Sequence, residues 1–254
     1  MPPHDQSTLA FEQAERRLFT ACGVKVASRR VRLADPPVAV RVLEAGDGPP
    51  LVLAHGSGMS ASTWAPLMLE AHRLIAFDLP GFGLSDAFDY SGRPLRSHAV
   101  AQLTSLLDAL GVEQAPIVIR PPNVATTRQS MARGVIGPRA AERAPEGFFE
   151  VVHEGMRQPG FRTAMLTHMQ LAMRSARPRP ENFLSETELQ QLTVPALMIR
   201  GNEDPNGEPE IGRRACALVP DARLEIIPGR HAPFLDDPER CGSWIDDLIR
   251  HAGA

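Results

Sequence analysis

The first segment that could do chemistry follows the short apolar run 51–54 and reads His-Gly-Ser-Gly over residues 55–58. A chain that leaves a strand through small residues exposes backbone N–H groups, and such groups form the oxyanion holes of acyl-transfer sites. We therefore expect Ser57 and Gly58 to contribute N–H groups that stabilise a negatively charged oxygen. A glycine-rich turn is common in proteins, so the motif becomes specific only beside a second one.

That second motif covers residues 78–86 and reads Asp-Leu-Pro-Gly-Phe-Gly-Leu-Ser-Asp. With the His-Gly pair and Trp64 before it, it resembles the α/β-hydrolase superfamily, in the branch of capped esterases, epoxide hydrolases and C–C hydrolases. The resemblance implies a doubly wound, mostly parallel sheet with a helical cap. It also implies cleavage of an ester or related bond by water, with no cofactor and no metal.

The resemblance continues in the C-terminal part and implies an acid and a base there. Residues 201–205 (Gly-Asn-Glu-Asp-Pro) follow a strand-like run at the place where the family carries its acid. Residues 229–238 resemble the family's catalytic-histidine loop. His231 would then accept a proton from the nucleophile, and Asp204 would hold the tautomer of His231. Two further acids, Glu203 and Glu208, are the alternatives to Asp204.

The nucleophile of the family is missing from its expected position. No Gly-x-Ser-x-Gly motif occurs in the chain, and the strand that should precede it is the apolar run 116–119. Alignment to the motif places Arg120 on the first glycine, Pro122 on the nucleophile and Val124 on the last glycine. Proline cannot attack a carbonyl, and the two larger side chains crowd a turn that needs glycine. The nucleophile therefore stays unassigned.

More than the motif is lost, because the family follows its nucleophile with a long helix and another strand before the cap. In this chain cap-like sequence begins soon afterwards, at residue 138, so we predict the loss of one central strand and one helix. A deletion or a disrupted reading frame would explain that loss. The nearest hydroxyl side chains are those of Ser130, Thr126 and Thr127. None of them lies in a Gly-x-Ser-x-Gly turn or a similar glycine-flanked turn.

The elements that must position these residues alternate between strand and helix, as in a doubly wound α/β fold. Two of the predicted strands, 24–33 and 38–43, are expected to form an antiparallel pair. The other predicted strands are short apolar runs at 51–54, 73–77, 116–119, 194–199 and 223–227. Helices are predicted over 9–21, over 95–110 with Gly111 as its stop, from about residue 208, and over 238–251.

Residues 138–190 differ in composition and are predicted to form the helical cap, while 1–137 and 191–254 form the core. Helical patterns cover 148–156 and 161–173. Three methionines at i, i+4 spacing, Met165, Met169 and Met173, share one face of the second pattern. Such a stripe belongs either to a packed core or to the lining of an apolar pocket.

Composition excludes several classes of function. The net charge of −3, with acidic and basic residues intermixed, argues against a nucleic-acid partner. No apolar run approaches the ~20 residues of a membrane span, and the first six residues lack the features of a secretory signal, so we expect a cytoplasmic protein. Three scattered cysteines favour reduced thiols, and no spacing suits a metal site. The oligomeric state stays open.

Three interpretations of function follow from these residues. The chain is a hydrolase-like protein with impaired or no activity, because Pro122 occupies the nucleophile position. Alternatively it is an active hydrolase of a small apolar or ester-type substrate that uses a displaced serine or threonine, or water activated by His231. As a third interpretation, it is a non-catalytic binding protein that uses the old pocket.

Overall fold

The structure, a computed structural model, describes residues 6–67, 72–119, 136–174 and 177–252. The chain divides into two compact units. The first unit takes in residues 1–124 and 145–182, and the second takes in 125–144 and 183–254. The two units are described separately below.

Helices and strands alternate along most of the described chain. The strands are β1 (Ala27–Arg32), β2 (Ala39–Ala45), β3 (Pro50–Ala54), β4 (Arg73–Phe77), β5 (Ile117–Ile119), β6 (Met173–Arg174), β7 (Arg177–Pro178), β8 (Ala196–Gly201) and β9 (Ala222–Ile227). The α-helices are α1 (Gln6–Ala21), α2 (Leu95–Leu110), α3 (Pro138–Arg143), α4 (Phe148–Met156), α5 (Phe161–Ala172), α6 (Glu186–Gln190), α7 (Pro209–Leu218), α8 (Pro233–Asp236) and α9 (Pro238–Ala252). Short 3₁₀ helices cover Ala61–Leu67 and Pro180–Asn182.

The first unit contains a five-stranded sheet with the order β1-β2-β4-β3-β5. The predicted antiparallel pair is confirmed, since β1 pairs with β2 from Ala27↔Glu44 to Arg32↔Ala39. The predicted parallel strands are confirmed as well: β3 pairs in parallel with β4 on one side and with β5 on the other. Strand β3 therefore lies inside the sheet, which explains why Leu51, Val52 and Leu53 are all buried.

Helix α2 packs its leucine face onto this sheet, as the spacing predicts. Leu106 is fully buried in a cluster with Val52 and Ile75, and the other leucines of that face pack against the cluster. Gly111 ends the helix in the left-handed region, with a φ of 63°. The carboxyl ends of β3 and β4 are thereby held in fixed positions, and the two N-terminal motifs begin there.

Helices α4 and α5, which the sequence predicts within the cap, pack inside the first unit. Helix α4 lies on α1, whose Phe11, Ala14 and Leu18 are completely buried. Helix α5 lies beside the loop after β4, where Ala164 packs with Phe82 in a second apolar cluster.

The second unit contains two parallel strands, β8 and β9, paired from Ala196↔Ala222 to Gly201↔Ile227. Helix α7 connects them and begins after Glu208, as predicted. The predicted C-terminal helix corresponds to α9. Because the strands are parallel and in register, their carboxyl ends meet at one edge, and the loops that follow them are neighbours.

The segment aligned with the family nucleophile, residues 120–135, lies outside the described residues. Pro122 belongs to it, as does the place where a strand and a helix are predicted to be lost, so that loss stays a prediction. Within the part of the chain that is described, no helix is both long and apolar enough to cross a bilayer.

Candidate active site

Asp204 and His231 follow the two parallel strands of the second unit and lie in contact. The Nδ1 atom of His231 is 2.9 Å from Oδ2 of Asp204, and the two side chains are 6% and 7% exposed. A carboxylate only accepts, so Nδ1 carries the imidazole proton and donates it to Asp204. Of the three acids considered from the sequence, Asp204 is therefore the one that bonds His231; Glu203 and Glu208 are exposed.

The environment of Asp204 keeps its carboxylate ionised. Burial raises its pKa, but hydrogen bonds from His231 and from the backbone N–H of Asn206, together with the charge of Arg200, outweigh burial and lower the pKa of Asp204 below its usual value. The Asn206 N–H lies 2.9 Å from Oδ1, and a guanidinium nitrogen of Arg200 lies 3.7 Å from Oδ2. An ionised Asp204 stabilises the imidazolium that forms when His231 takes up a proton.

The second ring nitrogen of His231, Nε2, is buried and makes no hydrogen bond with any described residue. Buried polar atoms in native proteins are nearly always paired, so an unpaired one calls for an explanation. With Nδ1 protonated, Nε2 presents a lone pair. The pair can therefore accept a proton from a hydroxyl or a water that binds there.

Backbone hydrogen bonds fix the two loops against each other. The N–H of Asn202 donates to Ile227 O, the N–H of Glu203 donates to Gly229 O, and the N–H of Gly229 donates to the side-chain Oδ1 of Asn202. Gly201 permits this close approach, because a Cβ there would overlap the carbonyl oxygens of Gly229 and Arg230.

In the first unit, the predicted oxyanion turn is held by His55. The N–H of Leu79 donates to Nε2 of His55 over 2.9 Å, so Nδ1 must carry the proton, and it lies 2.8 Å from Gly56 O. This imidazole connects the turn after β3 to the loop after β4. Gly58 adopts a φ of 81° within the turn, which only glycine does readily. The oxyanion role of Ser57 and Gly58 stays a prediction.

The side chain of Ser57 is buried and contacts His168 on α5. Its Oγ lies 3.1 Å from Nδ1 and 3.4 Å from Nε2 of the same ring. An oxygen in the ring plane could not be so nearly equidistant from both nitrogens without overlapping the carbon between them. Oγ therefore lies over the face of the ring, where no lone pair points at it. This contact is not aligned for proton transfer, so it does not identify Ser57 as a nucleophile.

The structure places His168 of α5 at the centre of an aromatic cluster. The rings of Phe82 and Tyr90 contact it edge to face, at centroid distances of 6.3 and 5.1 Å. Burial, with smaller contributions from the charges of His55 and His98, lowers the pKa of His168 to about 4. A signal existed in the sequence, because His168 follows the buried Ala164 at i+4 on α5.

This neutral histidine predicts an acid-sensitive fold. In the unfolded chain His168 binds a proton as the pH falls through about 6.5, whereas in the folded chain it binds one only near 4. The unfolded state therefore holds more protons between these values, and the free energy of unfolding should fall as the pH falls, by about 3 kcal/mol at most.

Urea titrations of wild type and His168→Gln between pH 7 and 4 measure the difference. His251→Gln, which removes an exposed histidine on α9, is the control; a wild-type slope equal to that of His168→Gln would contradict the assignment.

The loop after β4 is held by Asp78, which is completely buried. Its carboxylate accepts the N–H of Ala61 at 2.7 Å and the N–H of Leu84 at 2.9 Å. Gly83 has a φ of 50°, and a Cβ there would overlap this carboxylate. Gly83 of the second motif thus allows the backbone to pass close to the Asp78 carboxylate.

Arg41 lies next to Asp78 and connects it to helix α1. Its two terminal nitrogens each donate to a Glu15 oxygen at 2.7 Å, and one lies 3.8 Å from the Asp78 carboxylate. Burial raises the pKa of Glu15, while the charge of Arg41 opposes that rise. This buried chain of charges is not among the features predicted from the sequence.

The remaining candidates are not located by the structure. Pro122, Ser130, Thr126 and Thr127 lie outside the described residues. Among the residues that are described, no group of three or more potential ligands could hold a metal ion.

Comparison with known proteins agrees with the fold and with the motifs. The family model for the alpha/beta hydrolase family matches residues 51–243, more than half of the chain. A 2-hydroxy-6-oxononadienedioate/2-hydroxy-6-oxononatrienedioate hydrolase of Dechloromonas aromatica is 25% identical, over 85% of this chain and 88% of that protein. A pimeloyl-[acyl-carrier protein] methyl ester esterase of Vibrio vulnificus is 26% identical, over 82% of this chain and 96% of that protein.

Among solved structures, the naproxen esterase of Bacillus subtilis is similar in fold, with a TM-score of 0.73 and 19% identity. The alignment covers 98% of this chain and 100% of that one. The α/β-hydrolase fold expected from the two N-terminal motifs is confirmed, with a mostly parallel sheet and helices. The chain belongs to the α/β-hydrolase family.

Proposed function

We propose that this chain retains the acid–base half of a hydrolytic site for a small apolar or ester-type substrate, and that its hydrolysis is impaired or absent because Pro122 stands at the nucleophile position. The observation that carries the proposal is the buried His231–Asp204 pair with an unpaired Nε2. In that state His231 can take a proton from water, and Asp204 stabilises the resulting charge.

The proposed site needs no cofactor. Ser57 and Gly58 would supply the oxyanion N–H groups, and residues 138–190 would form the cap over a core of 1–137 and 191–254. The relatives named above include an esterase and a C–C hydrolase, which supports bonds of that kind as the target. The three cysteines are free thiols, which supports a reducing, cytoplasmic location.

A fluorophosphonate probe tests the loss of the nucleophile, because it labels only activated serines. We expect no labelling of the wild-type protein. Labelling that disappears in Ser130→Ala would show a displaced nucleophile and overturn the proposal.

Turnover of p-nitrophenyl acetate tests whether the retained acid–base pair, His231 and Asp204, still acts in hydrolysis. Sites that have lost one triad member keep at most about 10³- to 10⁴-fold catalysis over water, so we expect a rate no higher than this. His231→Gln should bring that rate down towards the buffer rate, while the control His251→Gln should leave it unchanged. A rate above the buffer rate that His231→Gln leaves unchanged would contradict the proposal. Saturable binding of an ester analogue without any turnover would favour the non-catalytic binding protein instead.

A further inference from the structure

Asp236, five residues after His231, has a buried carboxyl group that the hydrolytic mechanism does not use. The residue is 2% exposed and ends the short helix α8. Burial raises the pKa of Asp236, and the backbone N–H of Arg230 donates a hydrogen bond to its carboxylate. Its other oxygen, Oδ2, is buried without a hydrogen-bond partner in the described part of the chain. Since an unpaired buried carboxylate oxygen costs stability, its presence beside the histidine loop calls for an explanation.

Two further contacts place Asp236 as a clamp on this loop. Its backbone carbonyl accepts a hydrogen bond from Arg143 of α3 at 2.7 Å, which anchors the end of α8. Its carboxylate lies directly against Gly229, where a Cβ would overlap it. The carboxylate therefore packs against Gly229 and accepts the N–H of Arg230. These two residues come immediately before His231.

The same backbone is also held by the loop after β8, residues 201–205. Gly229 donates its N–H to the Asn202 side chain and accepts the N–H of Glu203, so this loop and Asp236 both contact residue 229. Because two segments hold the backbone that precedes His231, they also restrict the position of the His231 Cα relative to Asp204.

We propose that Asp236 is a positioning residue, which acts through the backbone of Gly229 and Arg230 to aim Nδ1 of His231 at Asp204. The inference deepens the proposed function, since it concerns the same histidine. It predicts that the His231–Asp204 hydrogen bond depends on an acceptor oxygen at position 236 and not on general stability alone.

The Nδ1 proton of His231 gives the test, because a hydrogen-bonded imidazole N–H can be observed by NMR and identified by its loss in His231→Gln. In Asp236→Ala we expect exchange of this proton with water to rise at least tenfold, or its signal to vanish. Asp236→Asn keeps an oxygen for the Arg230 N–H and should retain the signal. Asp237→Asn is the matched control: the Asp237 carboxylate, next along the chain, accepts the N–H of Arg240 at the start of α9, so the signal should not change.

A measurement on the wild-type protein covers the case in which Asp236→Ala does not fold. The Arg230 amide should then be the slowest-exchanging amide between residues 228 and 232, since its acceptor is buried. Fast exchange of that amide, or a wild-type Nδ1 signal in folded Asp236→Ala, would overturn the proposal. Neither readout depends on turnover, so a failure here is distinguishable from a failure of the proposed hydrolysis.

Discussion

Replacing Arg41 by methionine is expected to lower the free energy of unfolding by about 3 to 5 kcal/mol, the usual cost of removing one partner from a buried ion pair. Arg41 has two carboxylates beside it, Glu15 on α1 and Asp78 after β4, and both are buried. The substitution leaves both negative charges without their guanidinium. Methionine fills a similar volume, so the effect reports the lost charge and not a cavity.

The loss should depend on pH, because burial already raises the pKa of Glu15 and Arg41 opposes that rise. Without Arg41 the carboxyl of Glu15 protonates at higher pH, so Arg41→Met should be closer to wild type in acid than at neutral pH. Adding Glu15→Gln to Arg41→Met removes one of the stranded charges and should recover part of the loss.

Trp64 lies in the 3₁₀ helix that Asp78 holds through Ala61, so its fluorescence reports on this part of the first unit. Urea titrations in a Trp244→Phe background make Trp64 the only tryptophan. Arg29→Met is the matched control, because Arg29 pairs with Glu44 on the surface, where ion pairs contribute about 1 kcal/mol or less. Equal destabilisation by Arg29→Met and Arg41→Met would show that the buried ion pairs contribute no more to the free energy of unfolding than a surface pair does.

Gly201→Ala is the second substitution with a large expected effect, a loss of about 3 kcal/mol or more together with displacement of His231. The added methyl group would overlap two backbone carbonyl oxygens, those of Gly229 and Arg230, and backbone cannot rotate away as a side chain can. The loop that carries His231 must therefore move, which lengthens the hydrogen bond to Asp204.

Gly111→Ala separates this overlap from the ordinary cost of replacing a glycine. Gly111 has a left-handed φ but open space around its Cα, so alanine there should cost only about 1 to 2 kcal/mol. Urea unfolding measures the stabilities, and the Nδ1 proton signal of His231 measures the displacement. Retention of that signal in folded Gly201→Ala would contradict the expected movement.

Much of the fold could be predicted because its strands are short, continuously apolar runs. Strands β3 and β4 are buried on both faces, so their continuous apolar residues predict them. Gly111 likewise predicts the end of α2. Asp204 and His231 could be named because they occur in family order within recognisable loops. Their contact at 2.9 Å then follows from two parallel strands in register.

Most of the buried polar groups could not be predicted in the same way, because charged residues and histidines in a helix or strand are ordinarily expected at the surface. Glu15 is an exception, because it lies on the face of α1 that also carries Phe11, Ala14 and Leu18, at i, i+3, i+4 and i+7, and this spacing indicates its burial. Arg41 has no such signal, since its partners come from positions distant in the sequence. The contact of Ser57 with His168 spans 111 residues and is likewise invisible to local patterns.

Asp204 and His231 are 27 residues apart and come from one strand–helix–strand segment, so strand pairing alone brings them together. Loss of Asp204 would strand a buried imidazole N–H, which means that the pair also contributes to folding. Its presence in a family member is thus a property of a stable architecture, whether or not a bond is ever broken there. An acid and a base in this arrangement therefore identify the architecture, and a measurement of turnover is needed to identify an enzyme.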